Sequence, residues 1–218
     1  MNASVNAGPI PRPRKGRGLA TAIGIAFVLL GAMALDTTVV KIGSEADLRD
    51  EGFSAERFGA EHFPIVRDSV EERAVEASEL AAAIAEDQTA AGERYGVPSG
   101  IAPVIPLSFS GVVGEGKAGI YTVNVEGVPD DLTIRVQTGP AINGTDLRDA
   151  TGDIQFGQFT NQIEYQNAGA AINAEMKQQV LSDIDTGDLT GMAISVTGVF
   201  QLINPHNWLV TPVRLDVQ

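Results

Sequence analysis

From Gly18 to Leu35 the chain runs for 18 residues without a charged side chain. As a helix this segment would span roughly 27 Å, close to the roughly 30 Å of a bilayer's hydrocarbon core. Arg12, Arg14, Lys15 and Arg17 precede it with no acid among them, and every Asp and Glu follows Leu35. A basic flank stays on the cytoplasmic side, so the expected orientation is N-terminus in and C-terminus out. A cleaved signal peptide is the main rival reading, because Ala32 and Ala34 resemble a cleavage site; the apolar run is longer than a usual signal core. A buried core helix is the third reading. Residues 1–17, with Pro9, Pro11 and Pro13, read as a short cytoplasmic tail.

Charge then narrows the partners. Of 15 basic residues, four precede the apolar segment, leaving 11 against 28 acids beyond it, a balance of −17. A domain this acidic repels phosphate backbones, so nucleic acid is excluded as a partner. These 218 residues contain no cysteine. They therefore offer no disulfide, no thiolate metal site, no cysteine nucleophile and no cysteine to acylate. No cofactor is implied.

Residues 36–101 read as a helical extracytoplasmic segment ending in a linker. Ser54 fits an N-cap with Phe53 and Phe58 as its hydrophobic staple. Pro64 is expected to end or kink that helix. Ser69 and Glu72 have the spacing of a capping box for a second helix. Val70, Ala74, Ala77, Leu80, Ala81 and Ile84 then share one helical face. Asp87 is expected to cap a third helix stopping at Gly96, and Pro98, Gly100 and Pro103 mark the linker. The Ala-rich stripe suits a stalk packed on the next domain; a partner-binding helix is the alternative.

From residue 102 to 218 the period becomes two. Tyr121, Val123 and Val125 form one inward row, and Leu132, Ile134 and Val136 a second. Met192, Ile194, Val196, Phe200 and Leu202 form a third, and Leu209, Val213, Leu215 and Val217 a fourth. Between Phe159 and Leu181, Ile163, Ala168, Ile172, Met176 and Val180 recur at helical spacing. Three strands, a helix and two strands is the order of a five-stranded OB-like barrel, with the helix between strands 3 and 4. Gly198 suits a bend or bulge and Pro212 an edge position. The expected class is thus α+β: transmembrane helix, helical stalk, OB-like barrel. Oligonucleotide-binding barrels need a basic groove with stacking aromatics. Here the barrel segment has 5 basic and 13 acidic residues.

The polar stretch from Gln137 to Asn173 holds the candidate site. Asp149 and Glu164 have the chemistry of an acid/base pair, and Arg148 that of an anion clamp. Loop and cap chemistry is the competing reading: Thr160 or Asn161 capping the helix, and Arg148 pairing with a neighbouring carboxylate. Arg148, Asp149, Thr160, Asn161, Glu164 and Asn173 are the candidate ligand or partner surface, with no catalytic and no metal assignment. His62 and His206 lie too far apart in sequence order of elements to suggest a shared metal site. Asp183-Ile184-Asp185-Thr186-Gly187-Asp188 starts like a calcium loop, but Ile194 stands where the bidentate Glu belongs. Asn143-Gly144-Thr145 matches a glycosylation acceptor, which matters only in a glycosylating host.

Three stretches together carry a family resemblance. They are Gln137-Thr138-Gly139-Pro140 through Gly144-Thr145 to Leu147-Arg148-Asp149-Ala150, Phe159-Thr160-Asn161-Gln162-Ile163-Glu164-Tyr165 with Asn173 downstream, and the ending Thr211-Pro212-Val213-Arg214-Leu215. In these the chain resembles the bacterial predicted periplasmic lipoproteins, domain of unknown function 2291, over nearly its whole length. The resemblance implies an envelope protein with no established activity, and an accessory role beside a sugar-importing ABC transporter, through its permease or its substrate-binding protein. It supplies no catalytic residues. The expected function is a membrane-anchored, non-enzymatic accessory protein. A carbohydrate-binding module, with a polar pocket of Arg148, Asp149, Asn161 and Glu164, and an envelope-polymer hydrolase are the alternatives.

Overall fold

The computed structural model describes residues 52–218. The tail at 1–17, the uncharged segment at 18–35 and the first part of the helical segment lie outside the described residues. Among the described residues no helix is long and apolar enough to cross a membrane.

Helix α1 (Ala55–Arg73) starts as the sequence suggests: the Ser54 hydroxyl accepts from the Arg57 amide at 3.4 Å. Phe53 and Phe58 close the staple with ring centroids 5.5 Å apart. Pro64 does not end this helix. Phe63, Val66 and Val70, fully buried on either side of it, hold the helix through the lost hydrogen bond. The expected cap at Ser69 is also absent, because α1 continues to Arg73. The Arg73 guanidinium donates instead to the Ser69 carbonyl (3.1 Å), the Ser69 hydroxyl (3.2 Å) and the Ala150 carbonyl (2.7 Å). After α1 comes the two-residue strand β1 (Val75–Glu76), then α2 (Ala77–Glu86) and α3 (Gln88–Tyr95). The Asp87 carboxylate accepts from the amides of Thr89 (2.9 Å) and Ala90 (3.0 Å), and α3 stops at Gly96, as its sequence predicts.

Six strands make the sheet. The remaining five are β2 (Val104–Lys117), β3 (Ile120–Val125), β4 (Thr133–Gln137), β5 (Ala193–Gln201) and β6 (Asn207–Val217). Strand β2 is long enough to pair twice. Val104–Val112 run antiparallel to β5, and Gly111–Lys117 antiparallel to β3. With β3–β4 antiparallel, β4–β6 parallel and β6–β5 antiparallel, five strands close on themselves. Closure removes sheet edges. The sixth strand, β1, comes from the helical segment and lies parallel to β2 at Leu107 and Ser108.

Two more helices precede β5. They are α4 (Asp146–Asp149) and α5 (Gln162–Met176), the latter prolonged by a widened turn over Lys177–Leu181. Ala168, Ile172 and Met176 of α5 are buried, but Ile163, expected on the same face, is 69% exposed. Val217, in phase with Val213 and Leu215, is exposed at the end of the last strand. The row expected there is out of phase at its start, where Trp208 and Val210 are buried rather than Leu209. The cause is a bulge: Gly198 pairs with Pro212 but Thr197 with Arg214, so Val213 is an extra residue and inverts the alternation. Pro212 sits at that irregularity and not on an edge. Met192, expected to point inward, lies just before β5 and is exposed.

Helices and barrel share one core. Phe63 and Val66 of α1, Leu80 of α2, and Ile105, Leu107 and Phe109 of β2 belong to the same buried cluster as Trp208. Trp208 stacks on Phe200 at 4.6 Å, and its indole N–H donates to the Pro205 carbonyl at 3.0 Å. The expected stalk therefore lies against the barrel. Helix α1 packs on α5 closely enough that a Cβ on Gly59 would fall 2.6 Å from the Ala171 carbonyl oxygen.

Candidate functional site

The loop leaving β4 is held by buried side-chain amides. Gln137 donates to the Asn143 carbonyl (3.1 Å) and the Thr211 hydroxyl (2.9 Å), and its carbonyl oxygen accepts from the Asn143 amide (2.9 Å). From the other side, Asn173 on α5 donates to the Gly144 carbonyl at 3.0 Å. These bonds fix the segment that delivers Thr145 and α4.

Arg148 is 8% exposed, and its donors turn inward. Its guanidinium grips the adjacent Asp149 carboxylate in two places, at 2.7 and 3.1 Å. It also donates to the Thr145 hydroxyl (3.1 Å) and the Tyr165 carbonyl (3.4 Å), and its carbon lies 3.7 Å from the Tyr165 ring centroid. The Asp149 carboxylate further accepts from the hydroxyls of Thr145 and Ser99, each at 3.0 Å. A guanidinium and carboxylate satisfied in this way form a rivet between the 138–150 segment, α5 and the loop before β2. Most of the hydrogen-bonding capacity of both groups is thereby spent inside the fold.

Thr160, Asn161 and Glu164 form a separate group at the start of α5. The Asn161 side chain accepts from the Glu164 amide at 3.0 Å, and the Glu164 carboxylate accepts from the Thr160 amide at 2.9 Å. This two-way clasp is helix capping. Thr160 and Glu164 also line a hollow of about 530 Å³ with Phe53, Phe58, His62, Gln158 and Phe159. Thus the six expected residues fall into three places: the Arg148–Asp149 rivet, the Thr160–Asn161–Glu164 cap and the Asn173 clamp. Of the four residues expected to line a polar pocket, Arg148 and Asp149 grip each other, while Asn161 and Glu164 accept from backbone amides at the start of α5.

His62 stacks on Phe58 at 3.8 Å and shares a 2.9 Å hydrogen bond with the Phe58 carbonyl, while His206 faces Asp131 at 3.1 Å. In the acidic turn, Asp185 and Asp188 accept from the amides of Gly187 and Thr190, at 3.1 and 3.0 Å. The bond to Thr190 holds the Asp188 carboxyl below its ordinary range.

Sequence reading missed Asp146. Burial, followed by the negative charge of Asp149, pushes its carboxyl from 3.8 up to about 6. No local motif announces this, since the shift comes from what folds over the side chain. Tyr165 was visible as a motif residue, but its role as the surface under Arg148 needed the register of α5.

These motifs agree with what comparison finds. The family model for predicted periplasmic lipoproteins, domain of unknown function 2291, matches residues 23–216. The chain belongs to this family. Membership makes it a periplasmic protein, with its acidic domain outside the cytoplasm and associated with a membrane. Its fold is similar to the crystal structure of an OB-fold protein from Thermotoga maritima. The TM-score is 0.60 at 20% identity, covering 77% of this chain and 100% of that one. No curated protein matches the chain. The family motif Gln137–Ala150 with Asn173 is, in this member, the clamp and rivet of a single loop.

Proposed function

We propose that this family member is a single-pass, membrane-anchored accessory protein that acts by contact and not by catalysis. Its N-terminus lies in the cytoplasm and its barrel outside. The partner favoured by the family resemblance is a sugar-importing ABC transporter, through its permease or its substrate-binding protein. One observation carries the contact reading: the motif's charged pair is spent on the protein itself. Asp149 is gripped by Arg148 and Glu164 caps α5, so both carboxylates that glycoside hydrolysis would draw on are already engaged within the fold, which supports the contact reading. What remains for recognition is the exposed rim at Thr160 and Asn161.

The test is photo-crosslinking in intact cells from a probe at Asn161, followed by identification of the captured protein. Capture of a permease or solute-binding protein, with loss of sugar uptake on deletion, is the expected result. Normal uptake of every sugar tested, with no envelope protein captured, refutes the reading. Protease added to spheroplasts checks topology separately: the barrel should be cut away from the outside.

A further inference from the structure

We propose that an aromatic corner of the domain rests on the lipid surface beside its anchor. The corner is built from three phenylalanine rings in mutual contact. Centroids lie 5.5 Å apart for Phe53 and Phe58, 5.6 Å for Phe53 and Phe159, and 5.6 Å for Phe58 and Phe159. Tyr165 continues the row at 5.4 Å from Phe159, and Phe156 ends it at 5.7 Å from Tyr165. Phe156, at the end of the row, is 53% exposed, and Ile163, in the first turn of α5, is 69% exposed. A row of rings ending in an exposed Phe, with an exposed Ile close by in sequence, suits a membrane interface, where buried apolar area drives binding.

The occupant follows from where the chain enters. Phe53 stands at the start of the described residues, 18 positions after Leu35, the end of the uncharged segment. The intervening chain reaches at most about 60 Å when fully extended. The corner therefore carries the domain's own N-terminal point of attachment. Glu56 and Glu164 flank it, in the first turns of α1 and α5. Carboxylates there disfavour an anionic surface, so the lipid selected is zwitterionic, such as phosphatidylcholine or phosphatidylethanolamine. This inference rests on the anchored topology proposed above. It deepens that proposal by placing Thr160 and Asn161 at the height of a permease in the same membrane.

The chain's lack of cysteine permits the test. The full-length protein carries Ile163→Cys, modified with a nitroxide, in phosphatidylcholine nanodiscs. A second sample carries Lys117→Cys, in the β2–β3 turn. That turn and the far end of α5 both rest on the 138–140 segment: Gly119 accepts from Thr138, and Lys177 donates to the Pro140 carbonyl. Accessibility to oxygen, which concentrates in lipid, is compared with that to a water-soluble nickel chelate. The expected result is oxygen-dominated relaxation at 163 and chelate-dominated relaxation at 117. Adding Phe156→Ser should shift 163 toward water, as should replacing half of the lipid by phosphatidylglycerol. Chelate-dominated relaxation at 163, with the chain still in the discs, overturns the docking alone. Protection of 163 from both reagents means that protein covers the corner and also overturns it. Loss of the chain from the discs on alkaline washing refutes the anchor itself.

Discussion

Asp146→Asn should stabilise the domain at neutral pH and do little in acid. The native carboxyl is raised from 3.8 to about 6, chiefly by burial and secondarily by Asp149. Below pH 3.8 both native and unfolded chains hold the proton, and the group contributes nothing. Between 3.8 and about 6 the native state keeps a proton that the unfolded state releases, so stability falls as pH rises; above about 6 the loss is complete. At about 1.4 kcal/mol per pH unit, the full loss is about 3 kcal/mol. Asparagine carries no charge to desolvate and should recover most of it. For a domain of this size that is a rise in Tm of roughly 6–12 °C. The assay is thermal and urea unfolding of full-length wild type and Asp146→Asn in neutral detergent, at about pH 4 and about pH 8. The difference between the two proteins should be small in acid and large above neutrality. An equal difference at both pH values, of either sign, would show that Asp146 is not held in its raised state by the fold.

Other substitutions test the loop and the rivet. Arg148→Met should destabilise by roughly 3–5 kcal/mol in urea titrations, because it leaves the Asp149 carboxylate enclosed without its counter-charge. Arg148→Lys should rescue little, since a point charge cannot hold the bidentate geometry. Gln137→Leu should cost about 1–3 kcal/mol and raise hydrogen exchange at the Asn143 amide, which loses its acceptor. Gly119→Ala should prevent native folding, seen as loss of the cooperative transition. Its φ of +75° disfavours a side chain, and the new Cβ would lie 1.0 Å from the Gly139 carbonyl oxygen. Gly157→Ala, with nothing within 4 Å of its Cβ, should change stability by no more than about 0.5 kcal/mol and serves as the control.

Local chemistry determined much of this protein in advance. An N-cap needs only its next few residues, so Ser54 and Asp87 were legible as helix starts. Alternation of apolar residues is equally local, and it gave β3, β4 and most of β5, as well as the order that a barrel requires. The family motif was legible too, as a string of residues. Tertiary structure decided everything that depends on a partner distant in sequence. Pro64 stays inside α1 because buried neighbours outweigh one missing hydrogen bond. The alternation in β6 inverts because β5 opposes it with one residue fewer. Val75–Glu76 becomes a strand only because β2 lies alongside. Above all, whether Arg148 and Asp149 would meet a ligand or each other could not be read from adjacency alone. The enclosing surfaces of Tyr165, Thr145 and Ser99 settled it, by supplying further hydrogen bonds and leaving the two side chains only 9% and 14% exposed.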